Sequence, residues 1–147
     1  MIDSGTSNHF TFDKNDFVEY ETITQPLQVQ ATTATTKVIG KGTIILITNR
    51  SAYRIGPVYH VPELNCRLLS LGQFYRSGLY SRGSAHKISL YNEYSGLQFL
   101  SFYPRHDKGT TYIIKALLGN FEEQKTIHSV DFEIMHRHLA HPSKEVQ

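Results

Sequence analysis

Apolar and polar positions alternate in short runs along most of this chain, a pattern typical of half-buried β-strands. Residues 26–31 alternate in this way, and residues 37–48 form a longer run that contains Gly40 and Gly42. Glycines inside such a run predict a bend in the strand. Residues 53–61 form a further run that ends before a proline. These runs predict a mostly antiparallel set of strands in the first half of the chain.

The second half repeats the strand pattern, with one exception. Residues 86–91 and 97–103 predict two strands joined by a turn, and residues 110–118 predict a last strand. Residues 68–75 instead space their apolar side chains closer to a helical period, although Gly72 weakens the prediction of a helix there.

The C-terminal part of the chain does not continue the strand pattern. Residues 119–129 are polar and charged, as is typical of a linker, and residues 134–140 predict the start of a helix that Pro142 stops. The predicted fold class is therefore mainly β, with a small β barrel over residues 1–118. Residues 119–147 are predicted to form a linker and a short C-terminal helical stub.

Composition and charge narrow the classes of protein to consider. The chain has 147 residues, of which 39% are hydrophobic and 19% charged, as in soluble globular domains. A net charge of +2 is too small to indicate nucleic acid or an anionic membrane as a partner. The N-terminus does not have the pattern of a signal peptide, and Cys66, the single cysteine, cannot form an internal disulfide. These features predict a cytoplasmic protein, with Cys66 as a small buried hydrophobic residue.

A short motif near the N-terminus carries candidate chemistry. Asp3 is followed by Ser4, Gly5 and Thr6, and these four are the candidate catalytic residues. Peptide hydrolysis without a metal needs a base and an acid, and two facing carboxylates that share one proton supply both. The hydroxyl of Ser4 can tie the loop to its twin, and Gly5 lets the backbone pass close to the carboxylate. Thr6 can add a hydrogen bond to the outer oxygen of that carboxylate.

The motif occurs once in the chain, because the two other Ser-Gly pairs follow Arg76 and Tyr94 rather than an aspartate. Catalysis by Asp3 would therefore need a homodimer with the site on its two-fold axis. The alternative is a structural role, since Asp-Ser-Gly is also a good turn sequence.

A second candidate site lies near the C-terminus, where His136, His138 and His141 fall within six residues. Structural zinc sites often combine two histidines with two cysteines. The single Cys66 lies far upstream and no pair of cysteines follows, so the metal site is incomplete in this chain and no cofactor is predicted for it. The alternative is that these histidines are solvent-exposed residues of a helix.

Four stretches together resemble one family, the copia-type long-terminal-repeat retrotransposon Gag-Pol polyproteins, from their protease into the pre-integrase region. They are residues 3–10, 38–44, 58–74 and 136–143. The third stretch is the most specific, since it follows the family's Val-Leu-Tyr-Val-Pro and Asn-Leu-Leu-Ser block almost residue by residue.

The resemblance implies a retropepsin-like barrel in which Asp3 is the catalytic aspartate. The implied activity is processing of the element's own polyprotein by a homodimer inside cytoplasmic particles, with no membrane partner. The resemblance also implies that His136 and His141 begin a His-His-Cys-Cys zinc site, so zinc is expected only where downstream cysteines are present. Without them, a nucleic-acid partner is not expected for this fragment.

Some positions depart from the family pattern. The family has an apolar strand ahead of the aspartate, whereas only two residues precede Asp3 here. In addition, Met135 stands where the family has Trp, and Ala140 stands where it has Gly. The isolated chain is therefore expected to be inactive or nearly so. The alternative function is that of a catalytically inactive, retrotransposon-derived β-barrel module with a structural or interaction role.

Overall fold

The computed structural model describes residues 2–3, 8–31, 34–105, 111–118 and 128–135 of the chain. Within these ranges the chain forms one short helix, α1 (Leu71–Arg76), one 3-10 turn (Lys14–Asp16) and eleven strands. The strands are β1 (Ile2–Asp3), β2 (His9–Thr11), β3 (Phe17–Ala31), β4 (Ala34–Ile47), β5 (Ala52–His60), β6 (Arg67–Ser70), β7 (Leu79–Gly83), β8 (Ile88–Asn92), β9 (Gln98–Pro104), β10 (Tyr112–Leu118) and β11 (His128–Met135).

Six of these strands close into a barrel. Going round it, the order is β4, β5, β2, β6, β11 and β10. The ring closes where β10 pairs with β4, with Leu117 opposite Ile47 and Leu118 opposite Leu46. Closure satisfies the backbone hydrogen bonds of strands that would otherwise be edges. The predicted mainly β fold with a small barrel is confirmed.

The longest hairpin joins β3 to β4 and extends beyond the barrel, with the short β1 parallel to the far half of β3. The strand predicted at residues 37–48 coincides with β4 through Ile47. Both of its glycines permit a close approach. A Cβ atom on Gly40 would lie 2.1 Å from the Tyr20 hydroxyl oxygen, and one on Gly42 would lie 1.9 Å from a backbone oxygen of Glu19. The pairing of β4 with β5 shifts register directly after Gly42, in keeping with the predicted irregularity.

The strands β7, β8 and β9 form an antiparallel extension of the sheet. It joins the barrel where β9 pairs with β10, with Tyr103 opposite Ile113. The two strands predicted at residues 86–91 and 97–103 correspond to β8 and β9. Apolar side chains of this extension, including Leu90, Leu100 and Phe102, are buried in the same core as those of the barrel.

Residues 68–75 prove to be half strand and half helix. Their first three residues belong to β6, and α1 begins at Leu71. The side chain of Ser70 caps the helix by accepting a hydrogen bond from the backbone N–H of Gln73 at 3.1 Å. Leu71 and Phe74 are the buried residues of α1, and they pack against the main core. The helical prediction was therefore right for residues 71–75 only.

The largest correction concerns the C-terminal part. Ile134 and Met135, predicted to begin a helix, are the last residues of the strand β11, and the rest of that predicted helix lies outside the described residues. Val130, Phe132 and Ile134 are buried while the residues between them are not, which is the two-residue period of a strand. Because β11 pairs with β10 and β6, the barrel continues past the boundary predicted after Leu118.

Among the described residues, no helix is long and apolar enough to cross a membrane.

Candidate functional site

The backbone of Asp3 lies at the end of β1, beside the far half of the β3–β4 hairpin. Its register partner is Gln30, and that of Ile2 is Val29. Ser4, Gly5 and Thr6 lie outside the described residues. The candidate loop therefore follows a strand that is held on the hairpin rather than in the barrel.

The segment that follows the candidate loop is anchored inside the barrel. β2 pairs in parallel with β5 and, through Phe10, with Leu68 of β6. Phe10 and Thr11 are fully buried, and His9 is 2% exposed. The two strands that flank residues 4–7 in the sequence are thus held by backbone pairing, β1 on the hairpin and β2 in the barrel.

His9 is held in one tautomer by the start of α1. Its Nδ1 accepts a hydrogen bond from the backbone N–H of Ser70 at 3.0 Å, so the ring proton of the neutral imidazole is on Nε2. Burial, and after it the positive charge of Arg76, lowers the pKa of His9 from 6.5 to about 3. The imidazole is therefore neutral at any physiological pH and serves as a fixed hydrogen-bonding group.

A buried ion pair fastens the turn after β2 to β6. Arg67 donates from Nε to Oδ2 of Asp16 at 2.7 Å and from Nη2 to Oδ1 at 3.1 Å. The hydroxyl of Thr11 also donates to Asp16 Oδ2. The Asp16 side chain is 0% exposed, and the Arg67 guanidinium lies 4.6 Å from the ring centroid of Phe12. This two-pronged arrangement suits a planar guanidinium, and it holds residues 11–16 against the barrel.

A second link joins the hairpin to the barrel. The hydroxyl of Tyr20 lies 2.8 Å from His60 Nδ1, and His60 Nε2 lies 3.3 Å from the carbonyl oxygen of Phe12. Because a carbonyl only accepts, Nε2 is the donor, and Nδ1 then accepts from Tyr20. Burial lowers the pKa of His60 and raises that of Tyr20, so both groups are neutral near pH 7.

Sequence reasoning did not identify these linking residues. Tyr20 and His60 are 40 positions apart, and Asp16 and Arg67 are 51 positions apart. No local spacing connects such pairs. The sequence signal was that His60 and Arg67 both stand in the most specific of the four stretches, residues 58–74.

The predicted zinc positions, His136 and His141, lie outside the described residues. Among the residues that are described, no group of three or more His, Cys, Asp or Glu side chains could hold a metal ion. Cys66 is partly buried and packs against a small core cluster that includes Phe10 and Val38, which suits the hydrophobic role predicted for it.

The fold defines a class of protein, a small closed β-barrel domain. The family described as "Pol polyprotein, beta-barrel domain" matches residues 1–79, more than half of the 147 residues. The chain belongs to this family, and so to a retrotransposon Pol polyprotein region. Comparisons with curated proteins and with solved structures gave no match.

Proposed function

We propose that this chain is the protease region of a copia-type retrotransposon Gag-Pol polyprotein, an aspartic endopeptidase whose homodimer uses one Asp3 from each copy. The observation that carries the proposal is the position of the Asp-Ser-Gly tripeptide. Its aspartate, Asp3, is the last residue of β1, and the sequence runs on from there to β2, the buried barrel strand, in a chain of the Pol polyprotein β-barrel family. The proposed substrate is the element's own polyprotein, cleaved in cytoplasmic particles.

The chemistry needs two carboxylates at one water molecule. In the proposed dimer, the two Asp3 side chains share one proton, since two carboxyl groups that contact the same water molecule cannot both be ionised. The ionised carboxylate removes a proton from the water as it attacks the peptide carbonyl carbon. The protonated carboxyl supports the developing charge on the carbonyl oxygen, and the proton gained from the water goes to the leaving amine nitrogen. Ser4, Gly5 and Thr6 are proposed to hold this loop.

The sheet order agrees with a dimer. Within the described strands, β1 is the terminal strand, paired on one side with β3. None of the described strands pairs with its other edge, and an unpaired strand edge is a common route to association between chains. Asp3 lies on this terminal strand.

Zinc has no role in the proposed reaction. His136 and His141 are proposed as the first two ligands of a His-His-Cys-Cys site, and the sequence contains no pair of cysteines to complete that ligand set.

A second candidate is a catalytically inactive β-barrel module, and one observation favours it. β1 is not among the six strands that close the barrel, so the barrel does not use Asp3 for its closure. The fold would persist in a copy that has lost activity.

Cleavage of a peptide pool at mildly acidic pH tests the proposal. The chain is compared with its Asp3→Asn variant, and oligomeric mass is recorded for each. Asp131→Asn is the matched control, because Asp131 is exposed and its only described ion pair is with Lys115. Since low activity of the isolated chain stays a prediction, a longer polyprotein version is assayed in parallel.

The proposal expects cleavage by a dimer, lost in Asp3→Asn and kept in Asp131→Asn. If folded protein in either form cleaves nothing, or if Asp3→Asn cleaves as well as the parent, the proposal fails and the inactive module is favoured.

A further inference from the structure

A pocket of about 410 Å³ lies where the barrel meets the β7–β9 extension, with α1 on its third side. Its apolar walls are formed by Tyr53, Ile55, Phe74, Leu79, Leu97 and Phe99. Leu97 is 71% exposed, whereas Phe74 is 3% exposed, so the pocket leads from solvent towards the core. This volume is within the range of sites that bind small molecules.

His9 forms part of the pocket wall, and one of its ring nitrogens makes no hydrogen bond with the described residues. Nδ1 accepts the Ser70 N–H, which leaves Nε2 as the nitrogen that carries the ring proton. Among the described residues, none accepts a hydrogen bond from Nε2, although His9 is only 2% exposed. Buried donors are nearly always paired in folded proteins, so the acceptor for this N–H is expected to come from outside the described residues.

The rings beside His9 indicate the shape of what it would bind. The His9 and Phe74 ring centroids are 4.7 Å apart, those of Phe74 and Phe99 are 5.8 Å apart, and those of Phe99 and Tyr53 are 4.5 Å apart. All three pairs are tilted or edge-on, an arrangement into which another flat ring packs well. A ligand that contains an aromatic ring therefore matches these pocket walls best.

Electrostatics restrict the polar end of the ligand. The His9 imidazole is neutral and is a donor at Nε2, so the ligand must supply an acceptor. Arg54 lines the pocket, and the charge of Arg76 acts on His9, so a cation is disfavoured. A carboxylate would have to lose its hydration at a buried and uncharged donor, which is costly. An uncharged carbonyl oxygen meets all three conditions.

We propose that this His9 pocket binds an uncharged ligand that has an aromatic ring and a carbonyl oxygen, with His9 Nε2 donating to that oxygen. The site uses no residue of the Asp-Ser-Gly loop. It is independent of the proposed protease activity and would exist equally in an inactive barrel.

NMR titration of the full chain tests the site, with benzamide as the probe and ethylbenzene and benzoate as comparisons. Benzamide is expected to shift the His9 Nε2–H and Ile55 methyl signals and to bind roughly fivefold to tenfold more tightly than ethylbenzene, as the loss of one hydrogen bond predicts. Benzoate is expected to bind more weakly than benzamide.

The variant His9→Asn separates binding from folding, because an Asn side-chain oxygen can still accept the Ser70 N–H while the Nε2 donor is removed. A retained Ser70 amide signal together with lost preference for benzamide supports the site. Equal affinity of the parent chain for benzamide and ethylbenzene would overturn it. So would benzamide shifts confined to other surfaces, or no binding, which would indicate that Nε2 is satisfied by a buried water.

Discussion

The hydroxyl of Tyr20 donates to His60 across 2.8 Å, and this contact ties the β3–β4 hairpin to the barrel strand β5. His60 in turn donates to the carbonyl oxygen of Phe12, in the turn that follows β2. One imidazole thus connects the hairpin, on which β1 and Asp3 lie, with the segment that leaves the candidate loop on its other side. Nδ1 of His60 accepts from Tyr20 only while the ring is neutral, whereas Nε2–H donates to the Phe12 carbonyl in either charge state.

Replacing Gly40 should break this connection. A Cβ atom there would lie 2.1 Å from the Tyr20 hydroxyl oxygen and 2.3 Å from the ring carbon that carries it, so the ring must move away from His60. We expect Gly40→Ala to lower the free energy of unfolding by about 1–3 kcal/mol, as overpacking does, in urea titrations.

Gly83→Ala is the control for the change at Gly40. Its new methyl group would meet only a side-chain carbon of Ile88, at an ordinary 3.6 Å. Its stability should stay within about 1 kcal/mol of the parent. Equal effects of the two substitutions would contradict the contact between Gly40 and Tyr20.

The Asp16–Arg67 pair should be the costliest polar interaction to break. Asp16→Asn removes the charge that faces a guanidinium whose side chain is only 13% exposed. We expect a loss of about 1.5–3 kcal/mol in the free energy of unfolding, because charge-assisted hydrogen bonds are weakened while Asp13, 3.5 Å from Arg67, still compensates part of its charge. Urea unfolding measures it.

An exposed pair serves as the control for Asp16→Asn. Lys115 and Asp131 lie 3.3 Å apart with side chains that are 74% and 45% exposed. Lys115→Ala should change stability by less than about 1 kcal/mol. A loss from Asp16→Asn no larger than that of Lys115→Ala would contradict the structural role given to Asp16.

Stability should decrease as the pH falls below neutrality, because of His9. Its pKa is about 3 in the folded protein against an ordinary 6.5, so the unfolded chain binds the proton first. The free energy of unfolding is unaffected by titration of His9 above about pH 6.5. Between about pH 6.5 and about pH 3 it falls, with a slope approaching 1.4 kcal/mol per pH unit. Urea unfolding between about pH 7 and about pH 5 measures this slope. His60, whose pKa is also lowered, acts in the same direction.

The variant His9→Asn isolates that contribution, since Asn can accept the Ser70 N–H but does not titrate. Its stability should vary less with pH than that of the parent chain over the same range. Parallel curves for the two proteins would mean that His9 does not carry the effect.

The strand β11 should be essential to the barrel. Phe132 lies near the middle of β11, is fully buried, and belongs to the main core. Phe132→Ala should cost about 3–5 kcal/mol in the free energy of unfolding. Leu117→Ala, at a side chain that is 41% exposed, should cost much less. If residues after Leu118 were only a linker and an appended segment, Phe132→Ala would be almost neutral.

Local patterns predicted most of the strands, and the reasons for the exceptions are physical. Alternation located β4, β5, β8, β9 and β10, because one face of each packs on the core. The residues of β11 alternate in the same way, but they fall between a polar and charged segment, predicted as a linker at 119–129, and a helix predicted at 134–140. Pairing with β6, more than 60 positions earlier, decides that this segment is a strand.

The candidate site was predictable only in part. The Asp-Ser-Gly tripeptide is a contiguous motif, so the sequence was sufficient to name Asp3. The groups that fix its surroundings are not contiguous. His9 meets Ser70, and Asp16 meets Arg67, only because β2 and β6 are neighbours in the closed barrel. Strand pairing over such separations is a property of the fold and leaves no local spacing to detect.

The most direct test of the central proposal is to measure cleavage while the active chain is mixed with Asp3→Asn chains. If each site needs one Asp3 from both copies, equal amounts of the two chains place about half of the active chains in mixed dimers, and activity falls to about half that of the active chain alone. Activity that is unchanged by the variant, under conditions where the chains exchange partners, would contradict a site shared between two copies.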